Sequence, residues 1–336
     1  MTRTAVIGCG DVSVVHLAAI ESLPDAELVA VCDTDPARAA SAAARYGVPA
    51  VDDHRRLLEA FRPDVVHVCA PHDQHAPIAI DCLDAGVAVL LEKPVAHSVP
   101  EGRRLLAAAD AHPEVKIGVC YQNRYNRTVQ ALRRLIDSGD LGAVSGSTAT
   151  VLWHRTADYY RARPWRGRRE QSGGGVLINQ AIHTLDLVQW LVGEVARVSG
   201  RAGTYALAGL VDVEDTAQLV LDHANGARSI FFATVANAVD APVTFDLTAE
   251  HATVTLRQEL VTHWNDGRTD TVPERSAATA GRAYWGVSHA LLIEDFYAQL
   301  EQPGPFWIGP REALASLQII ADLYALGLDQ TGAPHR

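Results

Sequence analysis

Lys93 stands between Glu92 and Pro94 at the end of the apolar run Val87 to Leu91, a position that brings an ammonium group to the end of a strand. In an open α/β sheet, ligands bind outside the carboxyl ends of the parallel strands. An ammonium held there by a rigid proline can reach a substrate beside a bound cofactor. On its own Lys93 would suit a turn after a buried strand equally well, but a second motif accompanies it. Gly8-Cys9-Gly10-Asp11-Val12-Ser13 lies between the first strand pattern and the first helix pattern, the context a dinucleotide fingerprint needs. The first glycine permits a tight turn, and the second lets backbone N–H groups approach a pyrophosphate at the helix N-terminus. Gly8, Gly10, Asp11 and Val12 are therefore candidate cofactor contacts, with Ser13 departing from the usual Gly or Ala at the third position. Asp33 ends the second strand about 20 residues on, where a carboxylate accepts hydrogen bonds from ribose hydroxyls and disfavours a 2′-phosphate. NAD is thus expected over NADP, with Arg38 nearby as a further candidate contact.

A helix pattern from Val176 to Val192 follows Ser172-Gly173-Gly174-Gly175. Leu177, Ala181, Leu185, Val188 and Leu191 form its apolar stripe, whereas Asn179, His183 and Asp186 share another face at i, i+4 and i+7. Imidazole titrates near neutrality and can take a proton from an alcohol, and an amide one turn earlier can orient it or the substrate. A histidine satisfied by Asp186 inside a core is the competing reading. The glycine run, which lets backbone approach a ligand, and Lys93 favour the chemical one. Trp153 to Arg169 is basic and aromatic within an acidic chain. It reads either as a solvated loop or interface strand, or as a lid that sets Tyr160 and Trp165 against a substrate and Arg163 on a carboxylate or phosphate. Trp285, near the start of a late helix, is a further candidate for the pocket.

The elements that must hold these residues alternate in the first third. Strands are expected at Thr4 to Ile7, Glu27 to Cys32, Asp64 to Cys69, Val87 to Leu91 and Lys116 to Val119, with helices at Val14 to Ser22, Pro36 to Tyr46, Gln74 to Ala85 and Val99 to Ala111. This alternation implies a parallel sheet with helices on both faces. Beyond it, a helix from Tyr125 to Ser138 precedes strand patterns from Ala143 to Trp264, with hairpin signals at Asn225-Gly226 and Asp266-Gly267. Two helices, Ser288 to Glu301 and Pro310 to Gly327, close the pattern. At 336 residues two domains are expected, 1–122 and 123–336. The first is an α/β Rossmann domain and the second an α+β domain on a largely antiparallel, open-faced sheet. One face of such a sheet is left for a partner subunit, so a homodimer or homotetramer through it is expected.

The formal charge of -11 would repel a phosphate backbone and an anionic membrane surface, which argues against nucleic acid or membrane partners. No apolar stretch reaches the length of a membrane span, and a strand pattern starts at Thr4, so a cytoplasmic chain is expected. The five cysteines show no CxxC or Cys/His zinc spacing and read as small buried hydrophobes, so no metal is expected.

Gly8 and Gly10 with His16, Pro71 and His75, Glu92-Lys93-Pro94, Gln122-Asn123-Arg124, and Gly174-Gly175 leading to His183 and Asp186 together resemble the glucose-fructose oxidoreductase and inositol dehydrogenase family (Gfo/Idh/MocA) over nearly the whole chain. The resemblance implies an NAD(P)-binding Rossmann domain, an open-faced sheet domain, and reversible oxidation of a secondary alcohol on a sugar or cyclitol. It implies Lys93 and His183 as the catalytic pair with Asn179 beside them, a cis bond before Pro94, and cofactor contacts that include Pro71, His75, Glu92 and Arg124. Many members carry Asp where this chain has Asn179. An amide cannot accept a proton, so Asn179 is expected to position and His183 to act as base alone or with Lys93. Two other activities compete: transient oxidation that enables glycoside cleavage without net NADH, and a non-catalytic dinucleotide sensor.

Overall fold

Val65–Val68 is buried on both faces, the pattern of a strand in a parallel sheet covered by helices. The computed structural model of the protein describes residues 1–275 and 287–328. The strand is β4 of six, the others being β1 (Thr2–Ile7), β2 (Ala26–Cys32), β3 (Ala50–Val51), β5 (Ala88–Leu91) and β6 (Ile117–Val119). All pair in parallel, in the order β3-β2-β1-β4-β5-β6. Helices α1 (Ser13–Ser22), α2 (Pro36–Tyr46), α3 (His54–Phe61), α4 (His72–Asp84) and α5 (Val99–Ala111) connect them. Strand order reverses between β1 and β4, which opens a crevice outside their carboxyl ends.

Local chemistry sets the helix boundaries. Asp35 caps α2 by accepting from the backbone N–H of Ala37 and Arg38, Pro36 occupies the first turn, and Gly47 ends the helix at φ 68°. β3 and α3 have no counterpart in the sequence-based expectation. A two-residue strand shows no period, and α3 is only eight residues long, started by its cap Asp53.

The second sheet contains β7 (Val144–Leu152), β8 (Val195–Gly203), β9 (Thr216–His223), β10 (Arg228–Thr234), β11 (Thr244–Ala249), β12 (Ala252–Leu256), β13 (Glu259–Trp264) and β14 (Thr269–Pro273). Its order is β14-β13-β12-β11-β7-β10-β9-β8, antiparallel throughout except for β7 with β10. The two expected hairpins turn at Gly226 (φ 88°) and Gly267 (φ 90°), values that glycine adopts without strain. Leu219, Phe231, Ala149, Phe245 and Val254 are buried, while Ile230, one residue out of phase, is 54% exposed. This is the alternation of a sheet covered on one face. Helices α6 (Arg127–Ser138), α7 (Ala157–Arg161), α8 (Arg169–Ser172) and α9 (Ile182–Val192) accompany the sheet, and α9 packs on β7.

The last two helices are α10 (Val287–Ala298) and α11 (Pro310–Ala325). The expected second domain, 123–336, is revised here. The described part of 277–314, including α10, forms one compact unit with Met1–Gln122, and 123–276 forms the other with the described part of 315–336. Aromatic packing explains why α10 joins the first unit. Phe296 and Phe306 meet edge to face at 5.3 Å over Gly118, where a Cβ would lie only 2.8 to 2.9 Å from their rings. Burying two such side chains contributes about 1.5 to 3 kcal/mol each. Among the described residues, no helix is long and apolar enough to cross a membrane.

Candidate active site

The glycine loop starts where β1 ends. Gly8 adopts φ 92°, and a Cβ there would lie 2.5 Å from the Cys69 carbonyl, so β1 and β4 can approach only with glycine at this point. At Gly10 a Cβ would meet no atom within 4 Å, which leaves one side of the loop open to a ligand. Ser13 is accommodated because its hydroxyl donates to the Gly10 carbonyl at 2.7 Å. Asp33 accepts from the backbone N–H of Cys9 at 2.7 Å and of Asp35 at 2.8 Å, so the carboxylate at the end of β2 also fixes the glycine loop. The open side at Gly10, the α1 N-terminus and the half-buried Asp33 carboxylate fit a dinucleotide pyrophosphate and ribose. Asp11 and Val12 lie on this loop ahead of α1. Arg38 forms an ion pair with Asp35 at 3.1 Å, both side chains being 39% exposed.

Neither cysteine near these strand ends is poised as a nucleophile. Burial and then the Asp33 charge push the Cys9 thiol up to about 12, and burial raises Cys69 well above its ordinary value.

Pro71 leads into α4, whose His75 ties two strand ends together. Its Nδ1 lies 2.6 Å from the Pro94 carbonyl and its Nε2 2.8 Å from the Ala70 carbonyl. Both ring nitrogens face backbone acceptors in a buried setting, so His75 holds the segment around Pro94 where a cofactor contact was expected. Burial lowers its pKa, and the two carbonyls oppose that shift. The Lys93-Pro94 bond is cis.

Glu92 also departs from expectation, since its carboxylate points into the unit. Oε1 accepts from His16 Nε2 at 3.0 Å and from His289 Nε2 at 2.9 Å, and Oε2 accepts from the Lys93 backbone N–H at 3.2 Å. Burial alone would raise its pKa, but the bonds from the two imidazoles hold it well below the usual range. Because His16 donates through Nε2, its Nδ1 accepts from His67 Nδ1 at 2.8 Å; His67 Nε2 then accepts from the Tyr297 hydroxyl at 3.0 Å. Tyr297 in turn accepts from Thr4 at 2.8 Å. The protons of His16, His67 and Tyr297 in this line are each directed at a partner in it when both histidines are neutral, the form that burial favours for each. Ligand-type atoms of His16, Glu92, Cys120 and His289 lie within 4.8 Å of one another, and the imidazole–carboxylate separations are those of charge-assisted hydrogen bonds.

In the second unit the helix expected over 176–192 is divided. Leu177–Ala181 winds as a π-helix and α9 begins at Ile182, so the angular relation of Asn179 to His183 differs from that of a regular helix. Wide turns of this kind are frequent at functional sites. From Gly174 to Val188 every residue is buried except Asn179 and His183, which are half-buried. Asp186 does not complete their triad, because both its oxygens accept from Arg124, at 2.7 and 2.8 Å. Arg124, expected beside the cofactor, is thereby placed as the partner of Asp186.

Glu214 is a site residue that the sequence did not signal. It accepts from the N–H groups of Gly175 and Leu177 at 2.8 and 3.0 Å and from the Tyr324 hydroxyl at 2.7 Å. A buried acid that acts 37, 39 and 110 residues from its partners leaves no local pattern. Tyr160, expected against a sugar, is buried, and burial raises its hydroxyl pKa. Its neighbour Tyr159 is half-buried instead, with Arg166 over its ring at 4.3 Å and a hydrogen bond from Gln180 at 3.2 Å. Arg163 and Trp165 are half-buried in the same segment. Trp285 lies outside the described residues.

Comparison with known proteins agrees with the fold of the two units. Residues 2–120 match the model of an oxidoreductase family with an NAD-binding Rossmann fold, and residues 129–255 match the GFO/IDH/MocA C-terminal domain. The WlbA dehydrogenase from Bordetella pertussis, solved in complex with NADH and UDP-GlcNAcA, is 30% identical with a TM-score of 0.83 over 96% of this chain and 95% of that one. The D-glucoside 3-dehydrogenase of Escherichia coli is 33% identical over 62% of this chain and 58% of its own. For the D-apiose dehydrogenase of Paraburkholderia graminis the figures are 29%, 68% and 59%, so the match spans less than two thirds of these two relatives. With both domain models matched in order and a solved relative aligned almost end to end, the chain belongs to the Gfo/Idh/MocA family of NAD-binding oxidoreductases.

Proposed function

We propose that the protein is an NAD-dependent dehydrogenase acting on a secondary alcohol of a sugar, sugar derivative or cyclitol. The observation that carries this reading is the pair Asn179 and His183, the two half-buried residues on an otherwise buried stretch that includes a π-turn. Relatives named for apiose, glucoside and inositol oxidation support the substrate class. When bound, the dinucleotide supplies the hydride acceptor. His183 removes the hydroxyl proton, Lys93 donates a hydrogen bond to the same oxygen as charge develops, and Asn179 orients the imidazole or the substrate. Tyr159, Arg163, Trp165 and Arg166 are the candidates for contact with the rest of the substrate.

The exposed sheet face that includes Ile230 supports assembly as a homodimer or homotetramer, and the charge of -11 with five unpaired cysteines suits a cytoplasmic location.

A panel of sugars, cyclitols and nucleotide sugars assayed for NADH formation tests the reading. Substrate-dependent NADH supports it; glycoside cleavage without net NADH would replace it with transient oxidation. For the substrate found, Lys93→Ala and His183→Ala should each lower turnover about 100- to 10,000-fold, with NADH affinity little changed. Near-normal turnover in either variant would remove that residue's role.

A further inference from the structure

We infer that Glu214 is a positioning residue for His183: its carboxylate fixes the start of the helical stretch that carries Asn179 and His183. The inference rests on the reading of His183 as the base.

The first turn of a helix leaves backbone N–H groups without intrahelical partners, and here one residue takes most of them. Glu214 Oε2 accepts from Gly175 N–H and Oε1 from Leu177 N–H, while the Glu214 backbone carbonyl accepts from Val176 N–H at 2.9 Å. The hold reaches the functional pair directly, since the Asn179 N–H donates at 3.0 Å to the carbonyl of Gly175. Tyr324 on α11 adds its hydroxyl to Oε1, and the guanidinium of Arg169 lies 4.8 Å over the Tyr324 ring.

This contact also explains the glycine run. A Cβ on Gly175 would overlap the Glu214 carbonyl oxygen, and one on Gly174 would overlap the Tyr324 hydroxyl. These two glycines therefore admit the protein's own Glu214 and Tyr324 at close range, and only Gly173 of the run needs its positive φ, 81°.

Glu214 is 1% exposed. Its three side-chain bonds all come from donors, an arrangement that a carboxylate satisfies and an amide does not. A negative charge at the start of a helix is favoured by the helix dipole as well. Burial raises the Glu214 pKa, and the bonds from Tyr324, Leu177 and Gly175 oppose the rise.

Glu214→Gln keeps the shape but turns an N–H₂ group toward a backbone N–H. Hydrogen–deuterium exchange tests the hold without any substrate: exchange over residues 174–183 should accelerate in this variant while that of 2–120 stays unchanged. Unchanged exchange over 174–183 would overturn the inference. The functional part is read with the substrate from the panel. Glu214→Gln should lower kcat about 10- to 100-fold, the scale for a base displaced by about 1 Å, and leave the NADH Kd unchanged. In a His183→Ala background the same substitution should cost almost nothing, because it acts through the imidazole. If His183→Ala is crippled and Glu214→Gln lowers kcat equally in both backgrounds, Glu214 does not act through His183. If His183→Ala keeps its activity, the base assignment itself fails. Tyr324→Phe, which removes one donor and keeps the ring, should give a smaller loss of the same kind.

Discussion

Arg124 grips Asp186 through Nε and Nη2 at 2.8 and 2.7 Å, a two-pronged pair in which both residues are 1% exposed. Asp186 lies three residues after His183, yet its charge is directed at the guanidinium. Ser316 adds a hydrogen bond to Oδ1 at 3.3 Å, and the Trp190 ring stacks against the guanidinium at 5.1 Å. Removing Arg124 would leave a buried carboxylate without its cation, which costs about 3 to 5 kcal/mol. Arg124→Ala should lose that much stability of the second unit in urea titration, and Arg124→Ala with Asp186→Leu should recover a large part. Loss of NADH affinity without loss of stability would return Arg124 to the cofactor.

The histidine line around Glu92 makes the first unit acid-sensitive. For His16 and His67 the folded pKa lies below the ordinary 6.5, so the unfolded chain binds more protons as pH falls past that value and stability declines. Glu92 has a folded pKa well below its ordinary 4.5, so its contribution is complete above 4.5 and is lost as pH falls toward the folded value. Stability should therefore fall in two stages, from about 6.5 and again from about 4.5. His67→Phe with Tyr297→Phe should flatten part of the upper stage and leave the lower one. A upper stage unaltered in the double variant would show that the line does not carry it.

Asp33 accepts from the Cys9 N–H of the glycine loop at 2.7 Å, and in the proposed cofactor site its carboxylate would also repel a 2′-phosphate. NAD should bind well ahead of NADP. Asp33→Ser should narrow the gap while weakening NAD itself, because the loop loses an anchor. Titration of both cofactors reads both changes, and a wild-type preference for NADP would sink the assignment.

These residues differ in how legible they were from sequence, and the reason is physical. Gly8, Gly10 and Asp33 are defined by their place along a strand–loop–helix unit, which local spacing records. Glu92 stands beside Lys93 in sequence, and His75 reaches the Pro94 carbonyl from 19 residues away, but spacing does not say where a side chain points, and both point inward at His16, His289 and backbone carbonyls. The π-turn at Leu177–Ala181 is hidden for a related cause, since the N–H at its start is bound by Glu214 from a distant segment. α10 left the expected second domain because Phe296 and Phe306 close over Gly118, a packing that only the fold brings about.

Asn179 offers the sharpest test of how His183 is tuned. It lies within the π-turn, its backbone N–H held by Gly175 at 3.0 Å, so a substitution that keeps its shape should leave the backbone in place. If the amide only positions, Asn179→Asp should keep turnover within about tenfold, near the ~1 kcal/mol net worth of one hydrogen bond. The added negative charge favours the imidazolium and so raises the His183 pKa. A base must be unprotonated to act, so the limb of the pH–rate profile that reports it should move to higher pH. A gain in turnover by orders of magnitude with an unmoved profile would mean that a carboxylate at this position completes a proton relay, and that the chain with Asn179 is a dinucleotide-binding protein with little activity of its own.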